Sequence, residues 1–176
     1  MAASGRGVFL DRDGILNELV VRDGQAVSPR ALSDFRLRPD AIRAVPQLRA
    51  FGLQVFVVTN QPDIARGLLE PQTLEQMTGV LRSALDVEEV LICPHDDADH
   101  CECRKPNAGM LVALARRWDV DLSRSFVVGD SWKDMEAGRR AGCRTILVGV
   151  QPEASLRPDA VVPNLDAAVA TIRRYL

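Results

Sequence analysis

The chain has 176 residues, 47% of them hydrophobic and 26% charged, with a formal net charge of −2. That length suits one globular domain, residues 1–176, with a core of its own, and the interspersed charges argue against a nucleic-acid-binding surface. No apolar stretch approaches the roughly 20 residues that span a bilayer, and Met1 to Gly7 lacks the apolar core of a signal peptide, so the expectation is a cytoplasmic chain without a membrane partner.

In chain order, Val8-Phe9-Leu10 is a short apolar run without alternation, the pattern of a strand buried on both faces, and it ends in Asp11-Arg12-Asp13-Gly14. Glu18 to Arg22 and Gln25 to Val27 flank Asp23-Gly24, a strong hairpin signal, and a hairpin at this point is either a flap over the first polar cluster, the reading its position favours, or a plain surface hairpin. Asp40 is the expected cap of a helix carrying Ile42, Val45, Leu48 and Phe51, with Pro46 kinking it or delaying its start. Val55 to Val58 is the next strand, ending in Thr59-Asn60-Gln61. Pro71 suits the first turn of a helix marked by Leu74, Met77, Leu81 and Leu85. Val90-Leu91-Ile92 runs into a Cys/His loop that closes on Arg104-Lys105-Pro106. Asn107 is the expected cap of a helix bearing Met110, Leu111, Leu114 and Trp118, and Arg116-Arg117 suit its negative end. Phe126-Val127-Val128 leads to Gly129-Asp130, followed by a helix from Ser131 to Ala141 and a strand from Thr145 to Val148. Ala160 to Leu176 fits a short extended segment and a terminal helix.

Strands alternating with helices at this spacing predict an α/β fold: a doubly wound, mostly parallel sheet flanked by helices, Rossmann-like, with no separate cap domain. In such a sheet the carboxyl ends of the strands share one edge, where ligands bind. The four polar clusters therefore meet in one crevice.

Their chemistry is that of phosphoryl transfer. A strand-end aspartate such as Asp11 can attack phosphorus, and a second acid two residues on, Asp13, can protonate the leaving oxygen and later activate water. A turn with two solvated acids is the bland alternative. Converging carboxylates repel unless a cation sits among them, and Mg²⁺ suits one or two carboxylates plus waters and phosphate. Asp130 is the expected ligand. Asp134 is either a second ligand or the capping-box partner of Ser131. Thr59 and Lys105 would stabilise the transferring group, while Arg104 either grips a second anionic group or is simply solvated. Cys93, His95, Cys101 and Cys103 supply four soft ligands, enough for a closed, structural zinc site, with His100 a less well-spaced substitute for His95. Cys143 reads as a small buried residue.

Together these motifs resemble the haloacid dehalogenase superfamily of phosphatases, whose four signatures occur in order as Asp11-x-Asp13, Thr59, Lys105, and Gly129-Asp130 with Asp134. Within it, Phe9 to Gly14, Thr59-Asn60-Gln61, Ile64-Ala65-Arg66-Gly67 and Cys103 to Pro106 look like the heptose bisphosphate phosphatases. The related histidinol-phosphate phosphatases share the Cys/His loop, and its five residues between His95 and Cys101 are more like theirs. Ser131 stands where the heptose enzymes are expected to carry lysine. The resemblance implies Asp11 as nucleophile and Asp13 as acid/base, with Thr59 and Lys105 as phosphoryl stabilisers. It also implies Asn60, Gln61 and Arg104 as substrate-binding residues, and Mg²⁺ on Asp11, the Asp13 backbone carbonyl and Asp130. The implied protein is a monomeric phosphatase of a small phosphorylated sugar.

Overall fold

A computed structural model describes residues 5–150 and 157–176; the expectation for Met1 to Gly7 falls partly outside them. Six strands form one wholly parallel sheet: β1 (Gly7–Leu10), β4 (Gln54–Asn60), β5 (Glu89–Cys93), β6 (Phe126–Gly129), β7 (Arg144–Val148) and β8 (Ala160–Val162). Their order is β5-β4-β1-β6-β7-β8. The chain winds outward from β1 to β5, crosses back to β6, and winds outward again. The strand order thus reverses at β1, the position where open α/β sheets bind ligands.

The apolar strands are buried on both faces because each face carries helices. Val8, Leu10, Val55, Val57 and Val128 pack with α1 (Pro39–Ala50), α2 (Pro71–Ala84) and α5 (Leu165–Tyr175) on one side. Phe9, Phe56, Val58 and Val127 pack with α3 (Gly109–Trp118) and α4 (Trp132–Ala141) on the other. Phe9 stacks on Phe56 at 5.2 Å between centroids, and Trp118 meets Phe56 edge-on at 5.9 Å. Cys143 is buried, which pushes its thiol up to about 12. Among the described residues no helix is long and apolar enough to cross a membrane.

The hairpin forms as expected, from β2 (Val20–Arg22) and β3 (Gln25–Val27), paired antiparallel. Asp23 and Gly24 both take positive φ, 51° and 76°, as a two-residue turn matching the strands' twist requires. Two caps differ from expectation. Pro39 takes the first helical position of α1, so Arg38 is the N-cap, and Asp40 instead pairs with Arg38 at 3.0 and 3.1 Å. Pro46 does not delay the helix, which starts two residues earlier than an Asp40 cap would set and continues four residues past Pro46, turning Ala41, Ala44, Val45 and Leu48 inward and leaving Ile42 exposed. The N-cap of α3 is Ala108, while the Asn107 amide donates to Cys101 O at 2.9 Å. Ser131 and Asp134 form the expected capping box on α4.

Candidate active site

The sheet's carboxyl edge brings the four polar clusters together. Immediately after β1, the Asp11 N–H donates to Val128 O at 2.9 Å, which ties the first acid to β6. Gly14 turns the chain at φ +84°, and a Cβ there would lie 2.1 Å from Asp130 Oδ2. Only glycine lets the loops after β1 and β6 close this far.

Lys105 joins the carboxylates. Its buried Nζ donates to Asp11 Oδ1 at 2.8 Å, Val58 O at 2.8 Å and Asp134 Oδ1 at 2.5 Å, which uses all three of its hydrogens. Asn60 fixes the lysine's backbone, donating to Lys105 O at 2.9 Å and accepting from Lys105 N at 3.0 Å. Burial works against the ammonium, yet Asp11 and Asp134 outweigh it and raise the lysine's pKa. Asp11 is pushed up to about 8, first by burial and then by the charge of Asp134, despite Lys105. Desolvation and then Asp134 push Asp130 up to about 6.

Asp13 is gripped from below. Its Oδ1 accepts from Arg12 Nε at 3.1 Å, Arg12 Nη2 at 2.9 Å and Asn17 Nδ2 at 2.9 Å. Its Oδ2 accepts from Arg12 Nη2 at 3.0 Å and Gln61 Nε2 at 2.7 Å. Gln61 Nε2 also donates to Thr59 Oγ1 at 2.9 Å, so Gln61 links the hydroxyl to the second acid. Arg12 itself is wholly buried, its guanidinium 5.6 Å from the centroid of Phe35.

Asp11, Asp130 and Asp134 each offer a carboxylate oxygen, all within 4.8 Å of one another. With Asp13, four acids face two buried cations, Lys105 and Arg12, a formal deficit that one divalent ion balances. An all-oxygen donor set with that deficit fits Mg²⁺. Asp134 is the most committed of the three: its Oδ2 accepts from Ser131 Oγ at 2.6 Å and Ser131 N at 3.2 Å while Oδ1 holds Lys105.

The Cys/His loop closes on itself. Cys93 Sγ lies 3.2 Å from Cys103 Sγ and 3.6 Å from Cys101 Sγ, and the latter two are 3.4 Å apart. His95 Nδ1 is 3.3 Å from Cys103 Sγ and 3.6 Å from Cys93 Sγ. Tetrahedral zinc with bonds of ~2.3 Å would set sulfur separations of ~3.7 Å, so the four atoms fit that ion. All cysteines are free of disulfides, and exposed His100 stands outside the cluster. The loop delivers Arg104, whose Nε donates to Asp97 Oδ1 at 2.7 Å and Nη1 to His95 O at 3.2 Å.

Over the acids opens a cavity of about 360 Å³, with Asp11, Asp13, Thr59 and Lys105 at its floor. Hairpin residues Ala26 and Val27 wall one side, as a flap would, and Arg30, Arg66, Arg104 and Lys133 rim it. Sequence reasoning does not single out Arg12, Asn17, Arg30 or Lys133, because nothing in their spacing distinguishes them from solvated polar residues.

The HAD-hydrolase-like family model matches residues 102–168. The chain is 37% identical over 146 residues to the D-glycero-beta-D-manno-heptose-1,7-bisphosphate 7-phosphatase of Bordetella bronchiseptica, covering 80% of this chain and 79% of that protein. It is 37% identical over 188 residues to the protein of that name from Mesorhizobium japonicum, covering 95% and 83%. The crystal structure of D,D-heptose 1,7-bisphosphate phosphatase from B. bronchiseptica, complexed with magnesium and phosphate, matches with a TM-score of 0.84 at 31% identity, over 97% of this chain and 99% of that one.

Proposed function

The chain belongs to the D-glycero-beta-D-manno-heptose-1,7-bisphosphate 7-phosphatase family of HAD-like hydrolases, and from that membership we propose that it removes the 7-phosphate of D-glycero-D-manno-heptose 1,7-bisphosphate. The observation that carries the reading is the meeting of Asp11, Asp130 and Asp134 around Lys105, beneath a cavity rimmed with basic side chains.

In the proposed reaction a carboxylate oxygen of Asp11 attacks phosphorus as the bond to the sugar oxygen breaks, and Asp13 gives that oxygen a proton. Asp13 then takes a proton from a water that attacks the aspartyl-phosphate, which releases inorganic phosphate and restores Asp11. The Thr59 hydroxyl donates to a phosphoryl oxygen. Lys105 exchanges one of its present hydrogen bonds for another such oxygen, and this electrostatic work dominates phosphoryl transfer. Asp11, the Asp13 backbone carbonyl and Asp130 would hold Mg²⁺, with Asp134 orienting Lys105. Bound there, the ion draws charge from the phosphoryl oxygens. Cys93, His95, Cys101 and Cys103 would hold a structural Zn²⁺ that pins the loop carrying Arg104. Asn60 and Gln61 serve the substrate through Lys105 and Asp13. The acting unit is a single phosphatase domain, residues 1–176, working as a cytoplasmic monomer.

Phosphate release with Mg²⁺ tests this, comparing heptose 1,7-bisphosphates with histidinol phosphate. The expected result is a higher kcat/KM for a heptose bisphosphate, with turnover abolished in Asp11→Asn at unchanged melting temperature. A preference for histidinol phosphate overturns the substrate, and near-normal turnover by Asp11→Asn overturns the nucleophile.

A further inference from the structure

The cavity rim carries four basic side chains, and three carboxylates answer them. Asp63 accepts from Arg30 Nε at 2.6 Å and lies 3.6 Å from Arg66 Nη1. Asp96 takes Arg66 in a bidentate pair, 2.7 Å on both contacts. Asp97 Oδ1 accepts from Arg104 Nε at 2.7 Å, with Lys133 Nζ 3.9 Å away.

These carboxylates are not equivalent. The side chains of Asp63 and Asp96 are 12% and 29% exposed, whereas that of Asp97 is 69% exposed. Asp96 is also held by its own loop, accepting from Asp97 N at 2.8 Å. The Asp97 carboxylate has no partner among the described residues beyond Arg104 and Lys133. Arg104, by contrast, is fixed: its side chain is 9% exposed and its Nη1 is held by His95 O. Its Nη2 has no protein hydrogen-bond partner among the described residues, and Arg104 lines the cavity. Lys133 is only loosely attached, beyond hydrogen-bonding distance of Asp97 and 5.9 Å from the ring centroid of Trp132.

The geometry points to Asp97 as a stand-in for the substrate's second phosphate, holding Arg104 and Lys133 at the rim until that phosphate displaces it, and thereby offsetting part of the preference for a bisphosphate over a monophosphate. The inference rests on the functional reading for the substrate being a bisphosphate. An exposed aspartate is hydrated and screened, so its hold on Arg104 is weak and reversible. A phosphate group brings nearly twice the charge and three strong acceptors, which suits it to a fixed guanidinium with a spare nitrogen and a loosely paired ammonium. A monophosphate has nothing with which to displace Asp97. It leaves the rim pairs as they are.

The test compares a sugar carrying both phosphates with the same sugar lacking the second: heptose 1,7-bisphosphate against heptose 7-phosphate, and fructose 1,6-bisphosphate against fructose 6-phosphate, all with Mg²⁺-loaded full-length enzyme. Asp97→Asn should lower KM for the bisphosphate by about two- to fivefold, the span over which an exposed ion pair can compete, with a smaller change for the monophosphate. Lys133→Gln, on α4 and outside the Cys/His loop, should move the ratio the opposite way, so the test stands even if Asp97→Asn loosens that loop. Equal changes on both members of a pair, a lowered ratio in Asp97→Asn, or an unmoved ratio in Lys133→Gln would overturn the assignment. If the fructose pair is turned over faster than the heptose pair, the substrate reading fails, while the fructose ratio still reports on Asp97.

Discussion

Replacing Gly14 with alanine imposes two separate penalties. The backbone there has φ +84°, a conformation that costs a residue with a Cβ roughly 1–2 kcal/mol. For a chain of this size that is a fall in melting temperature of about 2–8 °C. The second penalty falls on the site. The new Cβ would stand 2.1 Å from Asp130 Oδ2 and needs at least 3.0 Å, so the carboxylate oxygen must retreat by 0.9 Å, the difference of those two distances. Asp130 lies within 4.8 Å of Asp11 at the group proposed to hold Mg²⁺. A misplacement of about 1 Å costs on the order of 10²-fold in turnover. Magnesium titrations of phosphate release, run beside thermal melts, separate the two penalties. The expected outcome is a half-activating Mg²⁺ concentration raised at least tenfold, together with the lower melting temperature. If the melting temperature falls while Mg²⁺ activates as in the parent, Asp130 does not hold the cation.

Two further outcomes concern the metals. Cys101→Ser removes one of four soft donors, so purified protein should lose the roughly one zinc per chain expected of the parent; zinc retained at full occupancy would assign the ligands elsewhere. The second outcome follows from Asp11 and Asp130, pushed up from 3.8 to about 8 and about 6. In that window the folded, metal-free chain binds more protons than the unfolded one, so its stability falls as pH rises from about 4 to about 8. Mg²⁺ competes with those protons, and the gain in melting temperature on adding it should therefore grow between about pH 5 and about pH 8. A gain independent of pH would mean that these carboxylates are already ionised without the metal.

The strands were legible because burial on both faces removes the alternation of polar and apolar residues, leaving runs such as Val55 to Val58 that fit little else. The hairpin was legible because Asp-Gly accepts two positive φ angles in succession. The capping box of α4 was legible too, but two other helix caps were not. Asp40 and Asn107 have the chemistry of N-caps, but a proline at the first helical position moved the start of α1, and the carbonyl of Cys101 claimed Asn107. Ile42 was misjudged for a related reason: alanines carry half of the buried face of α1, and small residues contribute little to an apolar periodicity.

At the site, the residues proposed for the chemistry were visible because they stand at strand ends, where folding alone does not demand an aspartate or a lysine. Those that position them were hidden, since a buried arginine and a solvated one look alike in a sequence. Arg12 decides how charge is shared. Its guanidinium is fully buried and turned onto Asp13, so that acid has its own cation. Lys105 is divided between Asp11 and Asp134 with no hydrogen left over. Among the described residues Asp130 forms no ion pair, yet it sits within the same cluster of oxygens and its pKa is raised there. The unbalanced negative charge therefore gathers on the side of Asp130 and Asp11, away from Arg12. A divalent cation is expected on that side, against the nucleophile, leaving Asp13 free of metal at its carboxylate and available to move a proton.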